Sequence, residues 1–95
     1  MSEDDRWFID SLSDRNKLDA DVSSSMDVLE VLLSVEALPA LVKLIGDTSR
    51  SISLRERAAR AIKTIGAEYV AEELVTLEQD KCEDIRRCAN IALGR

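Results

Sequence analysis

The chain has 95 residues, 45% hydrophobic and 34% charged, with a net charge of −6 and no histidine. That balance is globular, and a chain of this length buries roughly 60–65% of its unfolded surface, enough for a core without disulfide or metal staples. The missing histidine removes the commonest general base and metal ligand, and the acidic balance argues against a general nucleic-acid binder.

Only Trp7, Phe8 and Tyr69 are aromatic, and Pro39 and three glycines are the only strong breakers. Ala, Leu, Glu, Arg and Lys dominate, so the expected class is all-α. No stretch approaches the ~18 uninterrupted apolar residues of a membrane span. The start, MSEDDRWF, lacks the basic and apolar regions of a secretory signal, so a cytoplasmic protein with no membrane partner is expected. Cys82 and Cys88 lie six apart on one expected helix, without CxxC spacing, and read as reduced structural thiols.

In chain order, residues 5–12 (DRWFIDSL) predict a short helix with Phe8, Ile9 and Leu12 inward and with Glu3, Asp4 and Asp5 at its positive end. Asp14–Asp21 is polar and reads as a loop. A helix from about Val22 to Ser34 carries Val22, Met26, Leu29 and Leu33 as its stripe, with Ser23–Ser25 as capping candidates. The next helix, Ala37–Ile45, has Pro39 in its first turn and Gly46 as its expected C-terminal cap. Leu54–Gly66, LRERAARAIKTIG, is the central helix, with Leu54, Ala58, Ala61, Ile62 and Ile65 on one face; the small alanines let a neighbouring helix come close. Helices over Ala67 to about Glu78 and Asp84 almost to Arg95 complete three pairs.

The pairs repeat. A shift of 33 aligns Phe8 with Leu41 and Leu74, Ile9 with Val42 and Val75, and Asp14 with Asp47 and Asp80. A shift of 31 carries Leu54, Arg55, Ala58, Ala61 and Ile62 onto Ile85, Arg86, Ala89, Ala92 and Leu93. One pair cannot bury both of its apolar stripes alone, and three repeats are about the minimum for a stable stack. The expectation is a single domain over residues 1–95, with repeats at about 1–34, 35–66 and 67–95, forming a short right-handed α-solenoid.

The segments ALPALVKLIGD (Ala37–Asp47), LRERAARAIKTIG (Leu54–Gly66) and IRRCANIALGR (Ile85–Arg95) resemble HEAT-like repeats of the short bacterial kind found in phycobilisome lyase subunits. The resemblance covers the last sixty residues well and the first third only by its stripe and Asp14. It implies a ladder between repeats, Asp47 with Arg55 and Asp80 with Arg86. It also implies an alternative function, the handling of a bilin chromophore, against which the chain is short and offers few aromatics.

No P-loop, GxGxxG or GxSxG is present, two cysteines without histidine make no zinc site, and the acidic loop Asp14–Asp21 lacks the Gly and distal Glu of a calcium loop. Neither an enzyme nor a resident cofactor or metal is expected. Charge is segregated: residues 1–36 carry −7, residues 37–66 carry +4 and residues 67–95 carry −3. In stacked pairs the second helices line the concave surface, and their solvent positions give a row of Asp27, Glu30, Glu56, Arg60, Lys63, Arg87 and Ile91. The function read from this row is protein–protein interaction, as an adaptor, inhibitor or immunity-type protein facing a partner with a basic surface. Solvated faces with i,i+4 support, such as Glu56–Arg60, are the plainer reading of the same charges. The last helix leaves an outer apolar face, for which a homodimer through the terminal repeat or a partner docking there is expected.

Overall fold

The computed structural model describes residues 3–95, with side chains from Asp5 onward; the acids Glu3 and Asp4 expected to favour the first helix lie outside the described side chains. Helix accounts for 76% of the described residues and none of them is in a strand, so the class is all-α. Six α-helices follow in order: α1 (Glu3–Leu12), α2 (Asp19–Leu32), α3 (Leu38–Ile45), α4 (Ile52–Ile65), α5 (Ala71–Leu77) and α6 (Glu83–Leu93). Short 3-10 turns at Val35–Ala37 and Ala67–Val70 lead into α3 and α5.

Helix α4 is central. It packs most extensively against α3 and α6 and also against α2, while α1 lies on α2 and α5 on α6. The alanines explain this position: Ala58, Ala59 and Ala61 are fully buried, and a methyl side chain keeps neighbouring helix axes close. Leu12, Val22, Met26, Leu29, Leu38, Leu41, Ile45, Ile62 and Leu74 fill the space around them in one continuous core. Among the described residues no helix is long and apolar enough to cross a membrane.

Local chemistry sets the boundaries. Ser51 caps α4 by accepting from Leu54 N–H at 3.2 Å. Gly66 ends it at φ +147°, where an added Cβ would sit 2.8–2.9 Å from the Glu68 carboxylate and the Tyr69 ring, so only glycine fits the joint between the second and third pairs. Pro39 lies in the first turn of α3, as expected. Gly46, however, has φ −84° and uses none of its freedom; left-handed C-caps are found instead after α2, at Leu33 (φ 50°, ψ 49°), and after α6, at Gly94 (φ 78°, ψ 28°). Helix α2 also begins three residues earlier than the sequence suggests. Asp19 and Asp21 occupy its positive first turn, and the serines taken for caps lie inside it, Ser24 and Ser25 bonding back to the carbonyls of Ala20 (3.0 Å) and Asp21 (3.3 Å). The fifth helix is likewise interrupted, since Val70 (φ −129°, ψ 27°) separates the 3-10 turn from α5.

The three aspartates spaced by 33 do the same job. Asp14 accepts from Asn16 N–H (2.9 Å), Asp47 from Ser49 N–H (3.0 Å) and Asp80 from Cys82 N–H (2.9 Å), each forming the same two-residue turn between paired helices. Because these carboxylates close their own loops, the expected ladder does not form. Arg55 instead donates from Nε to the Ile45 carbonyl at the end of α3 (3.0 Å), and Arg86 donates to the carbonyls of Asp80 (2.8 Å) and Lys81 (3.1 Å). A cation at a helix C-terminus satisfies carbonyls that have no partner within the helix.

Ala61→Phe should overpack the contacts of α4 and lower stability by roughly 1–3 kcal/mol, read as a fall in the thermal midpoint with the helical signal retained. A second expectation concerns acid. The hydroxyl and amide bonds from Ser49, aided by Arg15 and Arg50, hold the Asp47 carboxyl below its ordinary value despite partial desolvation. The folded value being the lower one, the contribution is present at neutral pH and lost as pH falls through it. Wild type should therefore lose stability below about pH 4 more steeply than Asp47→Asn, which keeps the turn's acceptor, in denaturation followed across pH.

Candidate protein-interaction surface

The row expected on the second helices is brought together, but most of its charges are spent inside the molecule. Arg57, at the α2–α4 contact, donates from Nη1 to Glu30 Oε1 (2.8 Å) and from Nη2 to Glu30 Oε2 (2.7 Å) and Asp27 Oδ1 (2.5 Å). Its guanidinium side chain is only 19% exposed, and these carboxylates hold it protonated well above its already high pKa. One contact further along, Arg87 of α6 donates to Glu56 of α4 at 2.6 Å. Asp27, Glu30, Glu56 and Arg87 are thus mainly ties between neighbouring helices. Ile91 is half-buried and packs on the core.

Arg60 and Lys63 remain. Both are exposed on α4, one turn apart, and neither has a carboxylate partner among the described residues. Arg60 borders a cleft of about 350 Å³ between α2 and α4, walled by Ala20, Ser23, Ser53, Leu54 and Arg57. Lys63 runs beside the end of α6, its Cε 3.6 Å from where a Cβ on Gly94 would stand. The Glu56–Arg60 pairing expected along α4 is not made, because Glu56 turns to Arg87.

A second set of ties was not singled out by sequence. Arg50, in the loop before α4, donates to the carbonyls of Lys17 (2.8 Å) and Asp14 (2.8 Å) and to Asp19 Oδ1 (3.2 Å). Ser51 next to it donates to Asp19 Oδ2 at 2.7 Å. Only the equivalence of Arg50 with Lys17 at the 33-residue shift marks this position in the sequence, and it gives no sign that the side chain reaches backward. At the other end, Arg95 donates from Nη1 to both carboxylate oxygens of Glu78, at 2.6 and 2.5 Å, tying residue 95 to the end of α5.

The thiols are free. Cys88 is buried, and desolvation pushes its pKa up despite nearby Arg55, which suits an inert core thiol. No group of three His, Cys, Asp or Glu side chains among the described residues is arranged to hold a metal ion. Compared with known proteins, the chain matches no family model and no curated protein matches it significantly.

The Arg57 network is more buried than the Arg87 pair, whose arginine is 56% exposed. Arg57→Ala should lower stability by ~1–2 kcal/mol, leaving Glu30 half-buried and unpaired, whereas Arg87→Ala should cost under ~1 kcal/mol. Chemical denaturation of the two variants gives the ranking directly.

Proposed function

We propose that the chain is a non-enzymatic protein-interaction module, a short right-handed stack of HEAT-like helix pairs that binds another protein along the face of α2, α4 and α6. Support for the stack comes from the run of contacts α2–α4–α6, from the shared aspartate turn in all three loops, and from arginines of a later helix meeting acids of an earlier one twice in succession. With Cα extents of 35 × 27 × 14 Å the molecule is a thin slab, and a slab offers much surface for its mass.

The observation that carries the binding reading is Arg60 with Lys63: two exposed cations with no carboxylate partner among the described residues, on the central helix, in a row whose other charges are all paired. The helix fixes the spacing of the two cations, and the rotamer freedom they lose on pairing is offset by charge-assisted hydrogen bonds, so this pair is suited to a protein segment bearing acids at matching spacing. The overall charge of −6 acts at longer range, speeding encounter with a partner whose remaining surface is basic, as an inhibitor or immunity-type protein would require. The chromophore-handling alternative draws no support from the clefts: Trp7 and Phe8 share one, and Tyr69 is not part of its wall.

Affinity purification from the native host with wild type and the double variant Arg60→Glu/Lys63→Glu tests this reading. Both residues are exposed, so the variant should fold with unchanged stability and lose a protein that co-elutes with wild type. Equal recovery of that protein by both chains would take the α4 face out of the binding site.

A further inference from the structure

The first helix pair has an edge that none of the other described residues covers. On α1 and α2 a cleft of about 360 Å³ is walled by Trp7, Phe8, Asp21 and Val28 among others. Val28 also opens a groove of about 270 Å³ with Asp27, Val31 and Leu32, whose lining is almost wholly apolar. Val28 belongs to both, so they form one strip. Trp7 is 58% exposed although it stacks edge-on against Phe8 (ring centres 5.0 Å), and Val31 is 84% exposed. Leu32, Leu33 and Val35 continue the exposed apolar run past the end of α2. A contiguous exposed apolar run of this kind marks an interaction surface more often than chance.

We propose that this strip docks an amphipathic helix of another protein that carries Lys or Arg beside its apolar face. The shape is that of a helix seat: Asp21, Val28 and Leu32 recur at steps of seven and four, and Val31 falls three after Val28, the spacing of a ridge that meets a helix groove. The molecule already seats one helix on α2 in this manner, where α4 brings Arg57 onto Asp27 and Glu30. The outer strip offers the same combination, with the Asp21 carboxylate exposed and without a cation partner among the described residues; Lys17, the one base in the lining, lies over the Trp7 ring at 4.9 Å.

Charge chooses the occupant. Residues 1–36 carry −7, so a second copy laid against this edge would bring like fields together, and an anionic lipid surface would be repelled in the same way. A basic helix is drawn in. This surface is distinct from the Arg60–Lys63 face, and the two succeed or fail separately.

Trp7 is the only tryptophan, so its emission reports on the strip alone. The probe is a synthetic Leu/Lys amphipathic helix about as long as α2, with a Leu/Glu helix of the same pattern as the control. The expected result is a saturable blue shift with Leu/Lys and none with Leu/Glu. Val31→Asp, at a solvent-facing position, and Asp21→Lys should each weaken binding about tenfold. Val31→Asp adds an acid, so a loss there cannot be electrostatic and must reflect the apolar contact. The proposal is overturned by the absence of a saturable shift, by equal binding of the Leu/Glu helix, or by Leu/Lys binding that both strip variants retain. It is also overturned by a dimer in sedimentation that Val31→Asp dissolves, or by anionic vesicles shifting Trp7 as the peptide does.

Discussion

Everything in this fold depends on how closely other helices approach α4. Three of its buried positions are alanine, and a helix with methyl groups on its contact faces is a narrow cylinder that several neighbours can touch at once. Larger residues then come from those neighbours: Met26 and Leu29 from α2, Leu41 and Ile45 from α3 and Cys88 from α6 are all fully buried. The small side chains add little burial of their own, so the stability of the assembly lies in the arrangement and not in any one residue. Interiors of this density transmit a change of a single methylene.

Polar ties fix what the apolar contacts leave free. A row of helices with simple apolar stripes is able to slide by a turn, and a bidentate arginine is poorly tolerant of such a slip because both of its hydrogen bonds must be remade. Arg57 pins α4 to α2 at mid-helix, while Arg50 and Ser51 pin the loop before α4 to the loop before α2. The first two pairs are therefore held at two separated points, which defines an orientation as well as a contact. The second and third pairs share the exposed Arg87–Glu56 bond and rely more on packing and on the Gly66 joint.

The class, the number of helices and their pairing were legible because periodicity at three and four residues depends only on which side chains are apolar. The core faces of α3, α4 and α6 followed for the same reason. Boundaries were less so: Asp19 and Asp21 looked like loop residues, and only their place in the first turn of α2 shows their value to the helix. The aspartates at 14, 47 and 80 were legible as equivalents but not in their role, since whether a loop carboxylate turns to its own backbone or to a distant arginine is decided by geometry within a few ångströms. The candidate binding residues fall on the neighbouring helices α2, α4 and α6, yet their acids are committed to Arg57 and Arg87, partners that sequence separation hides. The exposed edge of α2 was not legible because periodicity marks Val28, Val31 and Leu32 as apolar without showing which flank of the helix has a neighbour.

Leu33 illustrates a different kind of economy. A leucine in the left-handed conformation carries a steric penalty of roughly 1–2 kcal/mol, in a molecule whose whole margin against unfolding is on the order of 5–15 kcal/mol. Glycine would escape that penalty while making the unfolded chain looser by ~0.5–1 kcal/mol, so pruning this one side chain back to hydrogen would leave a slightly sturdier protein. The backbone after α2 is thus strained by a residue that adds nothing to the core, and that C-cap is where the molecule has stability still in reserve.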